Sequence, residues 1–393
     1  MPTKKEIEIL KNEFEDELFN SVIPFWENYS IDKINGGYYN CLDRDGKVYD
    51  PTKYVWLLAR QVWMFSKLYN KVEQKESWLK IAEHGLDFLK RNALTESKRV
   101  YFSLNKKGDP IYLQRKIFSE CFYTMALAEY SKAIGSNKLL NEAKEMLDVI
   151  WDLSSDPGKV GRAKLKGNPG LKTLAVPMIM LNLIEEVAGD DYSIYQAEIE
   201  RLIDEVEQHF INGRVYENIK SDGSIHNSSE GRLLNPGHAI EAGWFLKHWA
   251  RKLKNSSIDD LADKIIRRSF DIGWDEKYGG LFYFLDAEGY SPTQLEWNMK
   301  LWWVHTEAIY ANLLLYSGTK SELDWKRFIQ VKEYSFNHFR DKKYGEWFGY
   351  LDRVGNITHQ FKGGPYKGFF HIPRALLYSI TVFEKILNDG NEK

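Results

Sequence analysis

Cysteine is nearly missing from this sequence: Cys41 and Cys121 are the only two in 393 residues, with no C-x-x-C pair and no Cys/His cluster. That excludes a disulfide scaffold, argues against a zinc site, and suits a reducing, cytoplasmic setting. No run of eighteen apolar residues exists, which excludes a membrane-spanning helix. The charged start, MPTKKEIEILKNEFEDELF, lacks the apolar stretch of a secretion signal. Neither charge is in excess; the net value is −2 with acids and bases interspersed, so no nucleic-acid-binding surface is indicated. There is no G-x-G-x-x-G or G-x-S-x-G, and Gly167 to Thr173 has the wrong spacing for a phosphate loop. What the chain has in plenty is aromatic rings: 15% of residues, with 13 Trp, in a composition that is 43% hydrophobic. Flat rings fill cores, and they also cover the C–H faces of sugars.

A repeat runs through the chain. Asp32, Gly36, Leu42 and Gly46 recur at the same offsets as Asp275, Gly279, Leu285 and Gly289, and as Asp341, Gly345, Leu351 and Gly355. Aromatic-rich segments precede each Leu, and the Asp-x-x-Gly that follows reads as a hairpin turn. Weaker copies lie at Val100 to Gly108 and Val215 to Gly223, and a sixth slot, Gly161 to Gly170, has turn chemistry without a convincing strand. Six units of roughly 60 residues fill the chain without a linker, so residues 1–393 read as one domain.

Between these loops the period is helical. The pattern predicts helices over 4–29, 54–73, 76–93, 115–135, 138–153, 171–189, 193–211, 237–254, 257–272, 294–317, 322–339 and 366–388. Long loops follow the odd members of this series and short turns the even ones. That alternation describes an all-α fold: an (α/α)6 barrel, with short β-hairpins in the long loops gathered at one end. The even members hold ionisable residues in apolar surroundings, whereas the odd members are amphipathic. Buried charge is costly unless paired or used, so the even helices are expected inside, around a polar floor.

Three of the nine histidines stand out, each on one of these inner helices. His238 follows Asn235-Pro236-Gly237 at a helix start, with Glu241 one turn on. His305 sits in Lys300 to Glu307, and His371 has Arg374 on the same face. A three-histidine metal site is an alternative, but no H-E-x-x-H or similar spacing supports it. A pair of carboxylates serving a glycoside hydrolase is another. His248 lies far from the long-loop end; with His84, His209, His226, His338 and His359 it reads as solvated or structural.

Several long blocks carry a resemblance. Gly36 to Gly46, Lys53 to Trp63, Ile117 to Tyr123, Asn235 to Trp244, Pro292 to Trp297, Lys300 to Glu307 and Lys362 to Arg374 together resemble the N-acylglucosamine 2-epimerase family over nearly the whole chain. The resemblance implies an (α/α)6 barrel and metal-independent interconversion of N-acetylglucosamine and N-acetylmannosamine. It implies that His238 and His371 are the acid/base pair. Arg60 and Glu241 are then expected to support them, Arg60 by holding the oxyanion and Glu241 by orienting His238. His305, Glu307, Arg374, Lys300, Trp302 and Glu120 complete the expected substrate contacts. No cofactor is required; ATP is expected as an allosteric activator, and the protein as a homodimer. Mannose or cellobiose 2-epimerase, aldose–ketose isomerase and non-catalytic sugar binding are the alternatives on the same fold.

Overall fold

In the computed structural model, which describes residues 1–163 and 165–389, thirteen α-helices follow in order. They are α1 (Lys4–Asp16), α2 (Ile23–Tyr29), α3 (Val55–Lys71), α4 (Glu76–Asn92), α5 (Phe118–Ile134), α6 (Asn137–Ser155), α7 (Ala175–Ala188), α8 (Gln196–Gln208), α9 (Pro236–Leu253), α10 (Ser256–Gly273), α11 (Trp302–Thr319), α12 (Glu322–His338) and α13 (His371–Asp389). The single helix expected over 4–29 is divided by a π-helical segment, Glu17–Val22. Pro24 has no N–H to continue the ladder, and Ile23 N–H reaches back to Leu18.

The six helices α3, α5, α7, α9, α11 and α13 form the inner ring. Their burial shows it: in α11 every residue from Trp302 to Ser317 is buried. In its outer neighbour α10 the buried set is Ala262, Ile265, Ile266, Ser269, Phe270 and Gly273, one face of an amphipathic helix. The ring closes where Trp63 of α3 meets Phe370, ahead of α13, at 5.2 Å between ring centroids. Around it one apolar cluster runs from Ile7 to Ile386.

The repeat proves to be a set of stitches. A two-residue strand at or one residue ahead of the start of an inner helix pairs antiparallel with the strand of the following unit. Lys53–Tyr54 pairs with Ser103–Leu104, Lys172–Thr173 with Asn218–Ile219, Leu233–Leu234 with Leu285–Asp286, and Lys300–Leu301 with Tyr350–Leu351. The last unit returns to the first, where Lys362 and Gly363 N–H groups both reach the carbonyl of Leu42. Leu285–Asp286 therefore pairs across units and not within the hairpin expected for its own copy. Beneath three stitches a buried lysine meets the first Asp of the repeat: Lys53 on Asp32 at 2.8 Å, Lys300 on Asp275 at 3.2 Å, and Lys362 on Asp341 at 3.1 Å. All three lysines are fully buried. This ladder also delays two helices. The chain over 294–301 ends extended, so α11 begins at Trp302, and α13 begins at His371.

Candidate active site

The first turns of the inner helices converge at the stitched end. Asn235 caps α9, its side chain accepting from the His238 N–H at 3.2 Å, with Pro236 in the first turn. Gly237 has no alternative here: a Cβ would lie 2.6 Å from the ring of Trp303. His238 thus comes to rest against that indole, 5.3 Å between ring centroids, and His371 rests against the same indole at 5.8 Å.

Each imidazole hangs from its own carboxylate. Glu217 accepts from His238 Nδ1 at 3.0 and 3.1 Å, and Glu307 accepts from His371 Nδ1 at 2.7 Å. Neither Nε2 has a hydrogen-bond partner among the described residues. The two carboxylates differ in what else they hold. Glu307 also accepts from Arg374 at 2.7 Å and from the Trp244 indole N–H at 2.8 Å. Glu217 has Thr173 Oγ1 at 3.3 Å. Protonation follows. Burial holds the His371 imidazole well below its usual range, and Arg60 and Arg374 push the same way, so it is neutral. For His238 burial acts downward as well, yet the Glu217 carboxylate outweighs it and raises the value above 6.5.

Arg60 lies within a cage of rings, its guanidinium 3.8 Å from the Phe122 centroid, 4.4 Å from Trp56 and 4.7 Å from Phe370. Burial lowers its pKa to about 9. Its Nε has no hydrogen bond, and no carboxylate pairs with it among the described residues. Glu241 does not orient His238; it accepts from Arg374 at 2.7 Å, and Glu217 takes the expected place. Glu241, Glu307 and His371 bring ligand atoms within 4.8 Å of one another. The cation these two carboxylates face is Arg374, whose Nη2 lies between them.

Four expected contacts stand elsewhere. His305 is fully buried, with Nδ1 donating to the Leu301 carbonyl at 2.7 Å and Nε2 accepting from the Leu281 N–H at 2.9 Å. Burial depresses it to about 3, and both nitrogens are committed to the backbone. Lys300 belongs to the stitch on Asp275. Glu120 holds Arg99 at 2.6 Å and the Val100 N–H at 3.0 Å. Trp302 packs on Tyr350 at 5.1 Å, while its neighbour Trp303 lies between the histidines. Glu217 and Trp303 were not among the expected residues.

A cavity of about 950 Å³ opens from His238 and Glu217 and runs outward past Ile117, Phe118, Val176 and Met180 toward α6 and α8. It passes the sixth repeat slot, which forms no stitch among the described residues.

The profile of N-acylglucosamine 2-epimerase (GlcNAc 2-epimerase) matches residues 37–375. The chain is 44% identical to N-acylglucosamine 2-epimerase of Bos taurus, covering 94% of this chain and 89% of that one. It is also 44% identical to the Homo sapiens protein of the same name, covering 90% and 86%. Among solved structures, cellobiose 2-epimerase from Spirochaeta thermophila superposes with a TM-score of 0.83 at 22% identity, over 98% of this chain and 100% of that one. Fold and sequence together define the class: a carbohydrate epimerase built on an (α/α)6 barrel. Within that class, the chain belongs to the N-acylglucosamine 2-epimerase family.

Proposed function

We propose that the protein interconverts N-acetylglucosamine and N-acetylmannosamine by moving one proton off and onto C2 of the ring-opened sugar. The observation that carries this reading is the pair of imidazoles set against one indole, each hydrogen-bonded to its own carboxylate, His371 to Glu307 and His238 to Glu217. The C1 aldehyde makes the C2 proton acidic. His371 Nε2 takes that proton, and the bonding electrons move into C1–C2 and onto O1. Arg60 is suited to hold the resulting enolate oxygen, because its charge is buried without a carboxylate partner. His238 Nε2–H then delivers a proton to the opposite face of C2, giving the epimer. The reverse direction exchanges the two roles. Imidazoles fit because their titration lies near working pH.

No oxidation, phosphate transfer or hydrolysis occurs, so the chemistry consumes no cofactor; ATP enters this reading as an activator only. We also assign the protein to the cytoplasm, in keeping with two buried, free cysteines; among the described residues no helix is long and apolar enough to cross a membrane. A homodimer is the expected assembly.

The test is incubation with N-acetylmannosamine, mannose and cellobiose separately in heavy water, with and without ATP, reading products by NMR. Deuterium at C2 of N-acetylglucosamine is the expected result. A ketose product, or turnover of mannose or cellobiose in preference, would overturn it.

A further inference from the structure

Three inner helices carry matching stripes along the barrel. On α9 the stripe is Glu241, Trp244 and His248; on α11 it is Trp303, Glu307 and Tyr310; on α13 it is His371, Arg374 and Tyr378. Spacings of three or four place each set on one helix face. Trp244 is where the stripes join. On one side its ring meets His248 at 5.0 Å, Tyr310 at 5.2 Å and Tyr378 at 6.2 Å between centroids. On the other, the Arg374 guanidinium lies 5.0 Å from the indole centroid, and the indole N–H donates to Glu307 Oε2 at 2.8 Å.

That hydrogen bond governs what Glu307 does with its other oxygen. Among the described residues Trp244 is the one donor to Oε2, whereas Oε1 accepts from both His371 Nδ1 and Arg374 Nη2, each at 2.7 Å. The last torsion of a glutamate is soft, so a pin at Oε2 is what keeps Oε1 turned to the imidazole. Glu307 is buried, so bulk water does not replace a missing donor. The N–H also stabilises the charged carboxylate and so weakens its pull on the His371 proton. The indole itself is rigidly packed by the three rings beyond it and touches neither histidine of the proposed acid/base pair.

We propose that Trp244 is a positioning residue for epimerisation, fixing the Glu307 carboxylate and through it the direction and basicity of the His371 imidazole. The proposal rests on the epimerase reading above and adds a residue to it. The charged and titratable groups around His371 are Arg60 from α3, Glu241 and His238 from α9, Glu307 from α11 and Arg374 on α13. Of these, Glu307 and Arg374 touch Trp244.

The same helix supplies a control. Trp249 is also fully buried, and its N–H donates to the Leu181 carbonyl at 3.1 Å, away from Glu307. Trp244→Phe keeps a ring and removes the N–H. It is expected to lower kcat about tenfold, as the loss of one hydrogen bond to a charged group would, with KM changed by less than about twofold. Without the indole donor Glu307 holds the His371 proton more strongly, so the base form is lost at higher pH. The acid limb of the pH–rate profile should therefore move up by about half a unit or more, while the alkaline limb, set by His238, stays in place. Trp249→Phe is expected to lower Tm and move neither limb. If Trp244→Phe does not fold, benzothienylalanine in its place, with sulfur for the N–H at nearly the same shape, allows the same measurement. An unmoved acid limb, equal movement of both limbs, or the same shift in Trp249→Phe overturns the proposal. Absence of turnover with N-acetylmannosamine in the unmodified protein would defeat the epimerase reading itself; normal turnover there with an unmoved acid limb in the variant defeats this inference alone.

Discussion

Two buried polar clusters occupy the same barrel, one around the first turns of the inner helices and one around their last turns. The lower cluster is complete. Lys67 meets Glu129 at 2.7 Å and Glu186 at 3.2 Å, Trp63 donates to Glu186 at 3.0 Å, and Asn70 donates to Glu129 at 2.7 Å. His248 bridges Glu185 at 3.2 Å and the Tyr310 hydroxyl at 2.7 Å. The upper cluster is incomplete. Arg60 faces rings without a carboxylate, and the Nε2 of each imidazole has no hydrogen-bond partner among the described residues. Both clusters bear the cost of burying charge. The lower one recovers it in internal pairs, and the upper one keeps groups that only a ligand can satisfy. Completeness of pairing, more than burial or charge count, separates scaffold from site.

Five substitutions probe that contrast. Lys67→Met leaves two buried carboxylates short of their main cation, and is expected to cost about 3–5 kcal/mol of stability, measured by urea unfolding. The fraction that remains folded should retain near-normal kcat; a stable but inactive variant would erase the distinction between the clusters. His371→Ala and His238→Ala should do the reverse, each lowering kcat about a hundredfold or more with little change in Tm. Near-full activity in either would remove the acid/base assignment.

Glu217→Gln sharpens the upper cluster. The Glu217 carboxylate raises the pKa of His238 from its ordinary value against the opposing effect of burial, which favours its acid form. His371 is held well below its usual range, so its base form persists into acid. The pH–rate profile should therefore be a bell, with the His371 limb on the acid side and the His238 limb on the alkaline side. Without the carboxylate, burial acts unopposed and the alkaline limb moves down, with about a tenfold loss of rate on the alkaline side of the optimum. An unmoved limb would show that Glu217 is only structural. The smallest effect on catalysis belongs to His305→Gln. It disturbs two backbone hydrogen bonds, costing about 1–3 kcal/mol, and kcat should change by no more than about threefold.

Most of the architecture was legible in the sequence because loop length alternates and because apolar period distinguishes a ring buried on all sides from an amphipathic outer layer. His238, His371 and Arg374 were legible for a related reason: ionisable residues in the first turn of a buried helix. Glu217 was not, since it reaches His238 from a strand end 21 residues earlier, positioned by the pairing of Lys172–Thr173 with Asn218–Ile219. No helical spacing records that contact. Trp302 and Lys300 were misassigned because α11 was expected to begin at residue 294, which hid the extended stitch and with it the face each side chain presents. A signal for Lys300 did exist. In all three strong repeats a lysine follows the first Asp, at Lys53, Lys300 and Lys362, and a residue that recurs with its structural unit belongs to the unit's framework. Glu120 and His305 were misplaced for another reason: buried polar side chains serve backbone groups as readily as ligands.

The closure of the ring by Lys362 and Gly363 on Leu42 has a consequence for biosynthesis. The first unit made waits for the last one translated, with Phe14 of α1 finally meeting Phe383 of α13 edge to face at 5.3 Å. His371 and Arg374 follow directly on that seam, so under the proposed mechanism the second imidazole joins the first only once the two ends of the ring have met.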